Sequence, residues 1–156
     1  MPDNLRYLGL WERLAPDDEL ASAPPPSPAS LRDSVKAQIE GLLNARSRGG
    51  FDLYPRIARS VINFGLPSLA GGGCRASDRK LLTRDIEIAI KAFEPRVEAV
   101  KVEIDETVRP RSGIDLHLTI RGRIKAQPDP IPLNLSTNMD TETGQVTLVQ
   151  RRGSDT

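Results

Sequence analysis

The chain holds one cysteine, Cys74, so it can form no internal disulfide, and a reducing compartment is expected. It holds one histidine, His117, and a lone cysteine with a lone histidine cannot build a structural zinc site of the usual kind. Aromatics are scarce. Tyr7, Trp11, Phe51, Tyr54, Phe64 and Phe93 are all there are, which forces an aliphatic core. No stretch approaches the roughly 20 apolar residues of a membrane span, and the N-terminus lacks a signal-peptide pattern. The expectation is a soluble, cytoplasmic protein without direct membrane insertion. Net charge is only +1, so no overall field favours nucleic acid or an anionic surface. Gly71-Gly72-Gly73 lacks the Gly-Lys-Ser/Thr sequel of a phosphate loop and reads as a flexible connection. Cys74 beside it has no catalytic neighbours. No cofactor, metal site or catalytic residue is indicated.

What the chain does have is enough length and alternation for one domain. At 156 residues it should bury about 68–70% of its unfolded surface. Charge is unevenly spread. Residues 46–84 carry eight basic side chains against Asp52 and Asp78, whereas residues 85–110 carry seven acidic against four basic. Such a division suits a subunit with charged neighbours, and solvated faces produce the same clusters.

Along the chain, residues 5–14 (LRYLGLWERL) set Leu5, Leu8, Trp11 and Leu14 on one side of a short helix. Five prolines follow within residues 15–30, the composition of a semi-extended linker. The decapeptide is either a docking segment or folds back on its own domain. The organisation expected is a docking segment at 1–14, a linker at 15–30, a domain at 31–151 and a disordered tail at 152–156. Ser30 is expected to cap a first helix, with Asp33 completing a near capping box. Leu31, Val35, Ile39, Leu42 and Leu43 form its buried face, and residues 44–50 end it as a loop. A second helix should start at Pro55, carry Ile57, Val61 and Ile62, and stop at Gly65. Ser77 should cap a third, over 78–93. Strands are expected around Val100, Val102 and Ile104, then Ile114 to Ile120 with His117 on the polar face. A third holds Ile131, Leu133 and Leu135, with Pro132 restricting it to an edge or a strand start. After a hairpin loop at 140–144, the last runs through Val146 and Leu148. Helices first and strands later make an α+β domain, the helices packed on one face of a small, mainly antiparallel sheet of about four strands.

The junction Phe93-Glu94-Pro95-Arg96 draws most attention. Leu82, Ile86, Ala89, Ile90 and Phe93 make an apolar helical stripe that Pro95 terminates, pushing Glu94 into extended backbone. A carboxylate at the helix C-terminus is disfavoured by roughly 0.3–1 kcal/mol. Residues two apart in extended chain point the same way, so Glu94 and Arg96 lie side by side. Two readings stand: an internal pair that ties the helix end to a neighbouring element, or charges that meet another molecule.

Five pieces, in order and correctly spaced, carry a resemblance: the opening at 10–14; Leu31-x-x-Ser34-Val35; Leu42-Leu43-Asn44-x-Arg46; Ser60-Val61-Ile62-Asn63-Phe64-Gly65-Leu66-Pro67; and Phe93-Glu94-Pro95-Arg96-Val97. Together they resemble the gp25-like family of baseplate wedge proteins, specifically its type VI secretion branch, TssE. The resemblance covers about residues 10–105 by motif and the rest by strand order. The linker and the 71–74 loop depart from the pattern. It implies a structural wedge component that primes contractile sheath assembly, with Glu94, Pro95 and Arg96 as partner-binding residues. Implied partners are the wedge subunits TssF, TssG and TssK and the sheath subunits TssB and TssC, in a cytoplasmic baseplate docked at the inner-membrane complex. It also implies a sheet edge to which sheath arms add as strands. A wedge protein of a tailed phage or phage-like particle is the near alternative.

The family's lysozyme-like label requires hydrolysis to be weighed. Glycoside cleavage needs two carboxyls about 5–9.5 Å apart, one with a raised pKa. Glu40, Asp85, Glu87 and Glu94 are available, but Asp85 and Glu87 diverge on a helix, and Arg96 beside Glu94 is wrong for a general acid. A muramidase is therefore the weaker reading, and no enzyme is expected.

Overall fold

The computed structural model describes residues 27–47, 64–67, 76–108 and 115–149. In chain order it contains helix α1 (Pro28–Asn44), strands β1 (Arg46–Ser47) and β2 (Leu66–Pro67), and helix α2 (Ala76–Phe93). Strands β3 (Val97–Ile104), β4 (Asp115–Ile124), β5 (Ile131–Asp140) and β6 (Val146–Val149) follow. The last four form an antiparallel sheet in the order β3-β4-β5-β6, while β1 and β2 make a two-residue parallel bridge. This is the α+β arrangement the sequence implies. The expected segment at 5–14, the helix from Pro55, the 70–74 loop and the C-terminal tail lie outside the described residues.

Helix α1 starts earlier than its expected cap. Ser27, not Ser30, is the N-cap: its Oγ accepts from Ser30 N at 3.1 Å, and Pro28 occupies the first turn. A proline there loses nothing, because its missing N–H would have had no helical partner. Leu31, Val35, Ile39, Leu42 and Leu43 are all buried, as their spacing requires. Helix α2 begins at Ala76, which puts the expected cap Ser77 inside it. Its Leu82, Ile86, Ala89 and Ile90 join the inward-facing residues of the sheet in one aliphatic core.

Strand β3 departs from simple alternation. Val97, Val100 and Val102 are all buried, yet residues three apart on a regular strand face opposite sides. A bulge resolves the conflict: pairing with β4 slips between Glu98 and Lys101, and Ala99 takes φ +52°. One extra residue thus lets both valines reach the core. Pro132 is the second residue of β5, near its start, and among the described residues it pairs with Arg123 of β4 alone.

Residues 44–47 are not the plain loop that their composition suggests. Asn44 ends α1 and acts as a short piece of strand: its Nδ2 donates to Val146 O at 2.9 Å, and its Oδ1 accepts from Val146 N at 2.8 Å. Arg46 donates to the carbonyls of Thr143 (3.2 Å) and Gly144 (2.6 Å). A Cβ on Gly144, whose φ is +68°, would run into that guanidinium. Gly65, at φ +112°, has the expected left-handed backbone, and a Cβ there would strike the Ala45 carbonyl that accepts from Leu66 N. In the hairpin, Asp140 Oδ1 accepts from the amides of Glu142 and Thr143, and these bonds hold its pKa below the ordinary carboxylate value.

Two stability outcomes follow from these contacts. Asn44→Ala leaves the outer polar groups of Val146 without their amide partner and should cost about 1–3 kcal/mol in urea unfolding. Ala99→Gly removes the steric cost of a left-handed alanine and should gain up to about 1 kcal/mol in the same measurement.

Candidate functional site

The candidate site is the turn between α2 and β3. Glu94 N still donates to Ile90 O at 2.8 Å, the last helical bond, and Val97 N donates to Glu94 O at 3.1 Å, closing the turn. Both charged side chains are buried: Glu94 is 1% exposed and Arg96 4%. Between them Pro95 is exposed.

The two charges meet as a fork. Arg96 Nε donates to Glu94 Oε1 at 2.8 Å and Nη2 to Oε2 at 2.7 Å, while the Arg96 amide donates to Oε1 at 3.2 Å. The remaining terminal nitrogen, Nη1, donates to Ser34 Oγ on α1 at 2.9 Å. The pair therefore joins α2, β3 and α1 at one point. It also answers the unfavourable placement of a carboxylate at a helix C-terminus, because the guanidinium compensates it directly. A rigid guanidinium plane suits this geometry where lysine could offer only a point charge.

Neighbouring groups complete the turn. Lys125, just past β4, donates its amide to Arg96 O at 2.8 Å and its Nζ to Pro95 O at 2.9 Å. The Phe93 ring packs edge-on against Phe64, with centroids 5.3 Å apart and planes at 75°. Two separate sequence motifs, 60–67 and 93–97, thus touch through their aromatics. Lys125 carried no functional signal in the sequence, and Ser34 stood only within the Leu31-x-x-Ser34-Val35 piece of the family resemblance, with no link to Arg96. Their roles come from strand register and helix packing across more than 25 positions, which periodicity does not report.

Of the other carboxylates considered, Glu87 accepts from Val102 N at 2.9 Å and lies 3.7 Å from Lys91 Nζ. Glu94 is engaged by Arg96 on both oxygens. His117 is half-buried on β4 opposite Asn138. Among the described residues no group of three or more His, Cys, Asp or Glu side chains is placed to hold a metal ion.

Compared with known proteins, residues 29–129 match the family model of the baseplate wedge protein gp25. That span includes α1 from its second residue, the turn and all of β4, and ends before β5. No curated protein and no solved structure matches.

Removing one member of a buried ion pair strands the other. Glu94→Ala and Arg96→Ala should each lower stability by about 3–5 kcal/mol, whereas the double apolar replacement Glu94→Leu/Arg96→Met should cost much less than the two singles together. Urea unfolding of the three variants gives the coupling, and additive losses would refute it.

Proposed function

This chain belongs to the gp25 baseplate wedge family, and on that premise we propose that it is the TssE-like wedge subunit of a type VI secretion baseplate. Membership gives it a structural role among other baseplate proteins. The finer reading is that it links TssF, TssG and TssK and primes the sheath subunits TssB and TssC. The supporting observation is the built rigidity of the turn. Glu94 and Arg96 bond each other and Arg96 reaches Ser34, which holds the exposed Pro95 in one fixed orientation, with the Lys125 ammonium on its carbonyl. In this reading Glu94 and Arg96 serve docking by shaping the turn, and Pro95 with its rim is what a partner touches. A preshaped turn binds without first losing conformational freedom.

The same reading assigns residues 1–14 to docking, the following residues up to the Ser27 cap to a tether in place of the expected 15–30, and the chain from α1 to 151 to the wedge domain. It places the subunit on the cytoplasmic side, in a baseplate held at the inner-membrane complex. No described helix is long and apolar enough to cross a membrane. Catalysis has no part in it.

Pro95→Ala separates docking from folding, because the residue is exposed while its flanking charges are not. In cells carrying the variant as their only copy, sheath assembly should fail although the purified protein melts like the parent. Normal sheaths in Pro95→Ala, Glu94→Ala and Arg96→Ala cells alike would remove the turn from assembly.

A further inference from the structure

Among the described residues β3 and β6 are the edge strands of the four-stranded sheet, and an edge strand directs backbone groups away from its one neighbour. Here each edge receives a helix side chain. On β6, only four residues long, Asn44 takes both the N–H and the C=O of Val146. On β3, eight residues long, Glu87 Oε1 takes the Val102 N–H at 2.9 Å. Asp105 donates inward to His117 O, so by alternation the backbone groups of Val102 and Ile104 face away from β4.

The segment 100–104 is complementary to itself. Laid antiparallel to a second copy about a twofold axis at Val102, each Val102 meets the other, and Val100 meets Ile104 of the copy. These pairs lie on the core side, where Val100 and Val102 are buried and Ile104 is half-buried. On the solvent side, Lys101 meets Glu103 of the copy. Those two residues are exposed and half-exposed, and already pair within the strand at 2.8 Å. Apolar pairs on one face and opposite charges on the other are what stabilise adjacent strands. The bulge at Ala99 ends the regular ladder on one side. In this register the Val102 N–H is the donor at the twofold centre, used once by each copy.

We propose that Glu87 keeps two copies of this chain from joining through β3, by occupying the amide on which that ladder centres. Glu87 is itself steadied by Lys91 one helical turn away, at 3.7 Å. The inference concerns the free chain and stands apart from the baseplate reading.

Sedimentation equilibrium of the full-length chain tests it. The parent and Glu87→Gln should behave alike, because a carboxamide oxygen accepts the same hydrogen bond. Glu87→Ala should self-associate about tenfold more tightly. Adding Lys101→Glu to Glu87→Ala sets like charges opposite each other and should return association to the parent level. Association of Glu87→Ala no tighter than the parent, or unmoved by Lys101→Glu, overturns the proposal. Should Glu87→Ala fail to fold, amide exchange in the parent decides. A Val102 amide as protected as that of Asp105 supports the guard, and one exchanging as an open edge does overturns it.

Discussion

The buried fork between Glu94 and Arg96 is the interaction on which the arrangement of helices and sheet depends. A proline ends α2, the chain reverses direction, and β3 must begin in register with β4 immediately afterwards. Without a fixed turn, the helix would be free to pivot over the sheet that it packs on. The fork removes that freedom, and Ser34 extends the constraint to α1. An ion pair out of water is stabilising only where its hydrogen bonds are satisfied, and this one spends both carboxylate oxygens and three side-chain donors.

At the other end of α1 the same problem is solved by side chains bonding backbone groups, with no ion pair between them. Asn44 and Arg46 hold the β5–β6 hairpin across about a hundred positions of sequence, and Gly65 lets the segment after α1 approach β2 closely. The molecule thus has two junctions. One is charged and buried beside an exposed proline, and the other is polar and locked to the last hairpin. Both junctions tie the helices to the sheet at fixed points.

Much of this was legible in the residues. The five buried positions of α1, the stripe on α2, the alternation in β4 and β5 and the turn at residues 140–144 all follow from period and turn chemistry. The meeting of Glu94 and Arg96 was legible too, but not its cause: the expected extended backbone is instead a turn closed by Val97 N donating to Glu94 O, and that turn brings the two side chains together. The helix start at Ser27 is not legible in the residues, because two serines compete as caps and Pro28 has the composition of the linker before it. The bulge in β3 was missed because Val97 breaks a period of two, and nothing local says whether such a break ends the strand or kinks it.

Composition and periodicity by themselves determined an aliphatic α+β domain, with two charges gathered where a helix must stop. These follow from local rules: proline geometry, helical and strand periods, and the scarcity of cysteine, histidine and aromatic rings. Only the tertiary structure decided that those charges meet each other beside Ser34, that Lys125 completes the turn, and that Asn44 and Glu87 bond the backbone of Val146 and Val102 on the outer strands. The physical reason is distance along the chain. A hydrogen bond forms when packing brings donor and acceptor together, and packing between residues 34 and 96, or 44 and 146, leaves no mark on the pattern around either.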